Sequence, residues 1–330
     1  MALNPSITII VPVRNRQGIV TRTLDSIAAQ SYRPFRLIIV DNDSTDGTMS
    51  IVTKWKHAHE SESLVIDILS ETEHGASAAR NRGLDATGSE YVMFFDSDDE
   101  MLPHHLQRIA GHLSRFPDTD ILYWDIAYID PDGWMEVKGQ SDSDLLRCHL
   151  LHGTLSTQRF IARTSLLRQV GAWDTGLSIW LDLELGTRLL IANPTARKLH
   201  GEPSVIIHPT DDSITGTDSS SRADALEQAL DKIDSLFDDS HSYYRSLTNA
   251  RRAILAAHYR RENNNSRAES LMKKTLAGKR LSERIALTLI YHALRLTGHG
   301  GALIASSLFR NQPQNKLTDV NQSPQPYNGC

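Results

Sequence analysis

The sequence predicts an α/β fold, with a mostly parallel central sheet flanked by helices and a C-terminal helical extension. Three observations support this. Apolar β-branched runs alternate with amphipathic helical segments through the first half, and beyond residue 222 only helical periodicity remains. The length of 330 residues suffices for an α/β catalytic domain with a smaller appendage. Strands that alternate with helices indicate βαβ units, whose parallel strands are covered on both faces.

Apolar runs bounded by turn residues predict the strands. Four of them occur early in the chain, at 6–13, 35–42, 64–70 and 90–95. Helical periodicity separates these runs, and the last intervening segment, 75–87, is a helix rich in small residues.

The middle of the chain is less regular. Pro103 suits the first turn of a helix over 103–116. A hairpin is expected to turn near Pro131–Gly133, and residues 157–208 predict short strands and one amphipathic helix, roughly Asp182–Ala192. The loops around 134–160 and 209–222 carry no recognisable signal.

Three or four helices are predicted beyond Arg222. In the segment 284–296 one apolar face is expected to contain Leu287, Ile290 and Leu294, widened by Leu289, Ala293 and Leu296. A short apolar run, 300–310, follows a glycine-rich break. The last 20 residues, 311–330, are rich in Asn, Gln and Pro, and this composition predicts disorder.

Charge is divided unevenly along the chain. Residues 245–310 contain 13 Lys/Arg and 3 Asp/Glu, a net charge of +10, whereas residues 1–244 contain 21 and 36, a net charge of −15. We therefore expect a catalytic domain over 1–221, with halves 1–100 and 101–221, and a basic helical region over 222–310. Two interpretations of the basic region stay open: a helical lid packed on the catalytic domain, or contact with an anionic membrane through 245–310.

Composition also bears on location and partners. The chain has two cysteines, Cys148 and Cys330, which is too few for a disulfide framework, and the sequence predicts neither a signal peptide nor a membrane span. The expected location is cytoplasmic, with possible peripheral contact at the inner face of the cell membrane. Nucleic acid is not an expected partner, because no recognised binding module occurs.

Aspartates follow two of the predicted strands directly. Asp41 and Asp43 end one strand, and Asp96, Asp98 and Asp99 end another. Ligands of open parallel sheets bind at the carboxyl ends of the strands, and carboxylates so close together repel one another unless a cation neutralises them. The sequence therefore predicts a site for Mg²⁺ or Mn²⁺. Capping of the next helix is the alternative for one of these aspartates.

Four segments, in this order and spacing, resemble the nucleotide-sugar-dependent glycosyltransferases of family 2: IIVPVRNR, IIVDNDSTDGT, GASAARNRGL and FFDSDD. The resemblance covers roughly residues 5–215 and implies a GT-A fold. It further implies a donor site in which Asp41 binds the nucleobase, usually uracil, Arg80 binds the diphosphate and Asn81 supports Arg80. The other implied donor residues are Pro12, Val13, Arg14 and Asp96.

The same resemblance implies a metal site and an acceptor side. Asp98 and His208 are the implied metal-site residues, and Asp99 is either an outer member of that site or a helix cap. Asp182 is the implied catalytic base, although Leu181 stands where the family has a glutamate. Open alternatives are a helix-capping Asp182 and Glu184 as the base. The expected acceptor pocket consists of Trp173, Asp174 and Trp180, and core packing is the alternative for Trp173.

The resulting hypothesis is an inverting, metal-dependent glycosyltransferase that uses a nucleoside diphosphate sugar, with uridine as the expected base. The expected acceptor is a glycan or glycolipid of a surface polysaccharide. A non-catalytic nucleotide-sugar-binding relative is the main alternative, because Leu181 departs from the family pattern. A sugar-nucleotide pyrophosphorylase is less consistent with the sequence. That class would need a Gly-rich loop with a basic residue directly after the first strand, and PVRNRQG does not supply it. A dinucleotide-dependent dehydrogenase would need G-x-G-x-x-G after a strand, and that motif does not occur.

Overall fold

The computed structural model describes residues 4–130, 132, 133, 135–138, 144–208 and 218–309. Pro131, at the predicted hairpin turn, and the predicted disordered segment 311–330 lie outside the described residues.

The described residues form two sheets. The strands are β1 Ile7–Val13, β2 Phe35–Asp41, β3 Leu64–Ser70, β4 Tyr91–Phe94, β5 Glu100–Met101, β6 Ile121–Trp124, β7 Ile126–Ile129, β8 Met135–Lys138, β9 Phe160–Arg163, β10 Ala196–Leu199 and β11 Val205–Ile207. The larger sheet has the order β10-β6-β9-β4-β1-β2-β3. It is parallel except at β9, which runs antiparallel to both β4 and β6. The smaller sheet has the order β5-β11-β7-β8.

Helices cover both faces of the larger sheet and make up the described C-terminal region. They are α1 Val20–Ala28, α2 Thr48–His59, α3 Ala76–Ala86, α4 His105–Arg115, α5 Leu145–His152, α6 Thr164–Gln169, α7 Leu181–Ile191, α8 Ala223–Ser235, α9 Ser242–Arg261, α10 Asn265–Leu276, α11 Leu281–Thr297 and α12 Gly301–Leu308. None of the helices in the described ranges combines the length and apolar content needed to cross a bilayer.

The sequence predicted the α/β fold correctly, with its mostly parallel sheet and helical extension. Some details were wrong. The segment 157–208 was expected to contain one helix but contains both α6 and α7, and α5 lies in a stretch without a recognisable signal. The hairpin is β7–β8, as expected, but β6 before it belongs to the other sheet. Helix α4 begins at His105 rather than Pro103, and no side chain caps it.

The core has two parts, one on each face of the larger sheet. Along β1 the side chains of Ile9 and Val11 enter one part, while Ile10 enters the other. The part that contains Ile10 extends into the C-terminal helices, where Leu230 and Leu247 are fully buried in the same cluster. The C-terminal helices therefore pack on that side of the larger sheet through shared apolar contacts, as expected for the lid interpretation.

Helix α11 has a different apolar face from the one predicted. Leu287, Ile290 and Leu294 are buried as expected. Leu289 and Leu296 were expected to widen that face, but they are 53% and 81% exposed. At 100° per residue these two side chains lie on the opposite side of the helix, so α11 presents a second apolar face outward.

A close contact between α3 and β1 fixes the position of α3. A Cβ atom added to Gly83 would lie 2.5 Å from Cγ2 of Ile10, a side chain that is fully buried. Only a glycine permits this approach, because packed interiors leave no room for the methyl group. The small residues of this segment thus bring the helix that contains Arg80 directly against the sheet.

We predict that Gly83→Ala destabilises the protein by about 1–3 kcal/mol through overpacking against Ile10. Gly111→Ala is the matched control, because Gly111 lies in α4 with no atom within 4 Å of its added Cβ. That change should instead stabilise the protein by roughly 0.5–1 kcal/mol. Urea unfolding of both variants measures the difference, and equal stabilities would contradict the close contact.

Candidate active site

Three aspartates form a carboxylate cluster just beyond β4. Asp96, Asp98 and Asp99 can each place one carboxylate oxygen so that these atoms lie within 4.8 Å of one another. Burial and the nearby charge of Asp96 raise the pKa of Asp98. Burial, with the charges of Asp96 and Asp98, raises the pKa of Asp99 well above its usual value. This mutual repulsion and the all-oxygen donor set fit a hard divalent cation.

Asp99 does not cap a helix, so the capping alternative is wrong. Its carboxylate accepts a hydrogen bond of 3.1 Å from the backbone N–H of His208, and its backbone carbonyl accepts one of 2.7 Å from the hydroxyl of Thr23. The imidazole Nε2 of His208 lies 3.2 Å from Oε2 of Glu100. The chain at His208 is therefore attached to the cluster through its backbone, and metal binding by its ring stays a prediction.

The carboxylate of Asp96 is held by two side chains. Arg80 donates to its Oδ1 at 2.7 Å, and Gln158 donates to its Oδ2. Arg80 is only 5% exposed, and its guanidinium lies 4.5 Å from the ring centre of Trp173. Sequence analysis missed Gln158, which lies in a segment without a recognisable pattern. The structure thus places Arg80 beside the carboxylate cluster, where the diphosphate role was expected.

Asn81 supports this arrangement through the backbone of Trp173. Its amide donates to the Trp173 carbonyl at 2.8 Å and accepts from the Trp173 N–H at 2.9 Å. The indole is 2% exposed and packs edge-on against Phe94, with ring centres 5.1 Å apart. This burial favours the core-packing alternative for Trp173 over a place in an acceptor pocket.

The expected nucleotide-binding residues lie at the same edge of the sheet. Val13 pairs in register with Asp41, at the carboxyl ends of β1 and β2. Oδ1 of Asp41 accepts from the backbone N–H of Ser44 at 3.2 Å, which closes a turn after β2. Pro12 is half-buried and Arg14 is exposed. Because β4 pairs with β1, this edge lies next to the carboxylate cluster.

Two further cations approach the cluster from the segment around α1. Arg22 donates to the backbone carbonyl of Asp98. The charges of Arg16 and Arg22 both act to lower the pKa of Asp98, against the larger effect of burial. Sequence analysis did not single out either residue, although both follow β1 closely in the chain and the carboxyl end of β1 is where ligands bind.

Asp182 lies in the first turn of α7. The residue at the N-cap is Trp180, whose φ is +53°, so Asp182 is not the N-cap, although its Oδ1 accepts a hydrogen bond of 2.9 Å from the backbone N–H of Leu183 in the same turn. Burial raises the pKa of Asp182, the charge of Arg80 opposes that increase and the charge of Asp96 adds to it. Asp182 therefore lies within electrostatic reach of the ion pair at the donor side.

Glu184 is not available as a base. It is 1% exposed, and both of its oxygens accept hydrogen bonds of 2.6 Å from the guanidinium of Arg188, four residues later in the same helix. The alternative that gave Glu184 the catalytic role is therefore wrong. Asp174 is also engaged, with Lys232 of α8 and with the backbone N–H of Gly176 at 2.9 Å, so it connects two elements of the fold.

A cavity of about 660 Å³ lies between the catalytic domain and the C-terminal helices. Its lining includes Trp180 beside α7, Arg251 and His258 from α9, and Gly301 at the start of α12. The guanidinium of Arg251 lies 5.5 Å from the ring centre of Trp180. The charge of Asp182 acts on the pKa of Arg251, which burial lowers to about 10. Through Trp180, the cavity reaches the start of α7, two residues before Asp182.

Comparisons with known proteins agree with this geometry. The model of glycosyl transferase family 2 matches residues 8–169. A PGL/p-HBAD biosynthesis glycosyltransferase of Mycobacterium tuberculosis is 27% identical over 191 residues, which cover 58% of this chain and 71% of that protein. The amylovoran biosynthesis glycosyltransferase AmsB of Erwinia amylovora is 31% identical over 138 residues, which cover 40% of this chain and 45% of the relative.

Solved structures share the fold over nearly the whole chain. Residues 1–349 of S. aureus TarS superpose with a TM-score of 0.61 at 19% identity, covering 92% of this chain and 89% of that one. The mannosyltransferase PcManGT of Pyrobaculum calidifontis, solved with GDP-Man and Mn²⁺, gives a TM-score of 0.56 at 19% identity, covering 93% and 85%. Sheet order, carboxylate position and these likenesses define a sugar-transferring enzyme of GT-A fold. Through its residues 8–169 the chain belongs to glycosyltransferase family 2.

We predict that Asp98→Asn lowers the affinity for a nucleoside diphosphate in the presence of Mn²⁺ by at least about tenfold, since it removes one charged oxygen ligand. Calorimetric titration with UDP, with Mn²⁺ and then with a chelator, measures this. The control is Asp85→Asn, which changes an exposed carboxylate of α3. Metal-independent binding, unchanged by Asp98→Asn, would contradict a metal site at the cluster.

Proposed function

We propose that this enzyme is an inverting, metal-dependent glycosyltransferase that moves a sugar from a nucleoside diphosphate donor, with uridine as its base, to a hydroxyl group of a glycan or lipid-linked acceptor. The observation that carries the proposal is the carboxylate cluster of Asp96, Asp98 and Asp99 beyond β4, with Arg80 paired to Asp96 at 2.7 Å. The charges of Arg80 and Asp96 both act on the pKa of Asp182, which supports Asp182 as the base near that cluster.

In this proposal the donor lies along the carboxyl edge of the larger sheet. Asp41 accepts a hydrogen bond from the base, Pro12, Val13 and Arg14 line its pocket, and Arg80 is close to the diphosphate. Asp96, Asp98 and Asp99 would hold a Mn²⁺ or Mg²⁺ ion, which when bound stabilises the negative charge of the departing diphosphate. The PcManGT structure with GDP-Man and Mn²⁺ supports this reading by likeness of fold.

The proposed chemistry is a single displacement. Asp182 takes the proton of the acceptor hydroxyl as its oxygen attacks the anomeric carbon. The bond from that carbon to the diphosphate oxygen breaks, and the nucleoside diphosphate leaves with the electron pair. One displacement inverts the anomeric configuration and needs no enzyme nucleophile. Names of relatives that refer to amylovoran and teichuronic acid biosynthesis support a role in surface polysaccharide synthesis.

Membrane contact is the second part of the proposal. Leu281, Ile285, Leu289 and Leu296 are 52–81% exposed along one face of α11, opposite to the buried face. Leu303 of α12 is 71% exposed as well. The same region is basic, since Lys279 and Arg280 directly precede α11, and Arg284 and Arg295 are exposed on the helix beside the leucine face. An apolar face beside cationic groups is suited to a membrane surface with anionic lipids, and such contact suits a lipid-linked acceptor.

We predict that Asp182→Asn lowers the rate of sugar transfer by roughly 10²–10⁴, the usual contribution of a general base, while UDP still binds in the presence of metal. Transfer is followed by release of UDP from a UDP-sugar with an acceptor extract. The exposed Asp85→Asn again serves as the control. A variant that binds UDP and keeps its full transfer rate would exclude Asp182 as the base.

The pH profile of the wild type provides a further check on Asp182. Its carboxylate must be ionised to accept a proton, and burial raises its pKa. Transfer at subsaturating substrate should therefore fall with decreasing pH at a midpoint above about 4, the ordinary carboxyl range. A profile that stays flat below that range would oppose this assignment.

We predict that the double variant Leu289→Gln with Leu296→Gln binds phosphatidylglycerol vesicles at least about tenfold more weakly than the wild type, because two exposed leucines no longer contribute apolar burial. Vesicle sedimentation measures the binding. The control is Val65→Gln, which changes a β3 side chain that is 45% exposed. Equal vesicle binding by all three proteins would refute contact through α11.

A further inference from the structure

The unusual group in the cavity between the catalytic domain and the C-terminal helices is Arg251. Its Nε donates to the backbone carbonyl of Leu150. Across the described residues the structure records no ion pair for this guanidinium and no hydrogen bond from its terminal nitrogens. The adjacent Arg252, also on α9, has ordinary partners, since its guanidinium lies 3.0 Å from Asp231 and 3.4 Å from Asp234. The fold therefore places Arg252 beside two carboxylates, whereas Arg251 has no carboxylate partner among the described residues.

Burial of an arginine without a charged partner destabilises the folded protein, so an arginine retained in this way indicates a ligand. Arg251 is half-buried beneath the Trp180 ring, and a charge withdrawn from water needs a partner to offset the loss of hydration. Asp182 is near enough to act on Arg251 electrostatically, but no ion pair joins them. A planar guanidinium with two free terminal nitrogens matches the oxygens of a phosphoryl group.

The other residues that line the cavity indicate what a phosphoryl group bound at Arg251 would be attached to. Leu226, Ile254 and Leu294 supply apolar surface. Two acidic residues, Asp218 and Glu262, also line the cavity. Asp218 accepts a hydrogen bond from the Ser220 N–H at 2.9 Å. The oxygens of Glu262 accept from the backbone N–H groups of Ser219 and Ser220 at 2.9 and 2.7 Å, and from the Ser220 hydroxyl at 2.6 Å. Its charge is therefore satisfied within the protein. An arginine beside apolar walls suits a phosphoryl group that is attached to an apolar chain.

We propose that this cavity, at the start of the helix α7 that contains Asp182, is an acceptor subsite in which Arg251 binds a phosphoryl group of the acceptor. The inference rests on the proposed glycosyltransferase function and adds to it the chemical class of the acceptor. Gly301 and the turn between α11 and α12 form another wall of the same cavity. The subsite thus lies between the candidate base and the helices whose outer face carries the exposed leucines.

The test uses the full-length protein saturated with UDP and Mn²⁺, so that the donor site is filled. Farnesyl monophosphate and inorganic phosphate are titrated separately by calorimetry. Arg251→Gln should weaken farnesyl monophosphate binding by at least about tenfold, the loss of one charged hydrogen-bonding group. Arg251→Lys should give an intermediate affinity, because lysine keeps the positive charge but lacks the planar set of guanidinium N–H donors. Arg115→Gln, which changes an exposed arginine at the end of α4 outside the cavity lining, should bind like the wild type.

A second variant tests whether the cavity holds the ligand without any change to Arg251. Ala302 lies on the wall of the cavity formed by α12, and Ala302→Trp should block farnesyl monophosphate by filling the space. Thermal unfolding confirms that each variant is folded. Inorganic phosphate that binds as tightly as the prenyl compound, and loses affinity in Arg251→Gln, would identify a water-soluble phosphoryl acceptor. Much tighter binding of the prenyl compound would identify a lipid-linked one.

Two results would overturn the inference. One is farnesyl monophosphate binding that neither Arg251→Gln nor Ala302→Trp changes. The other is failure of both phosphoryl compounds to bind while UDP binds normally with Mn²⁺. In that second case UDP binding still supports the donor site and the proposed function, and only the acceptor subsite is rejected. If UDP itself does not bind with metal, the proposed function fails first, and the two failures are therefore distinguishable.

Discussion

The ion pair between Arg80 and Asp96 is the interaction on which both sides of the site depend. Arg80 comes from α3 and Asp96 follows β4, so the pair joins the helix to the carboxyl end of the sheet. Beneath the guanidinium lies Trp173, whose backbone is held by Asn81. The segment that leads to α7 is thereby fixed to α3. A buried arginine needs its carboxylate, and this requirement fixes the carboxyl edge of the sheet and the start of α7 in one geometry.

The sequence was sufficient for the parts of the site that depend on strand order alone. The carboxyl ends of parallel strands meet at one edge, so the aspartates that follow β2 and β4 were expected at the same edge, where β1 alone lies between the two strands. Gln158 and Arg251 could not be found in this way. Both act through contacts between elements distant in the chain, Gln158 with Asp96 and Arg251 with Trp180. Neither position belongs to a local motif, and only the packing of the C-terminal helices on the sheet brings Arg251 to the site.

Two predictions from the sequence were wrong, for different reasons. Glu184 was considered as a base although Arg188 stands four residues later, a spacing at which opposite charges pair along a helix. That signal was present in the sequence. For α11 the pattern was ambiguous, because apolar residues occupy two opposite faces and periodicity does not say which of them packs inward. The buried contacts of Leu287 and Leu294 decided the matter, and Leu289 and Leu296 were left outward.

The apolar cluster that runs from β1 and β4 through α7 into α8, α9 and α11 has a consequence for engineering. The C-terminal region is not separable from the rest of the fold, since its removal would expose to water the apolar side chains of α5 and α7 that pack against α8 and α9. A fragment that ends near residue 221 should aggregate rather than survive as a minimal enzyme. Chimaeras between homologues should therefore exchange the C-terminal helices together with the helices of the sheet domain that pack against them.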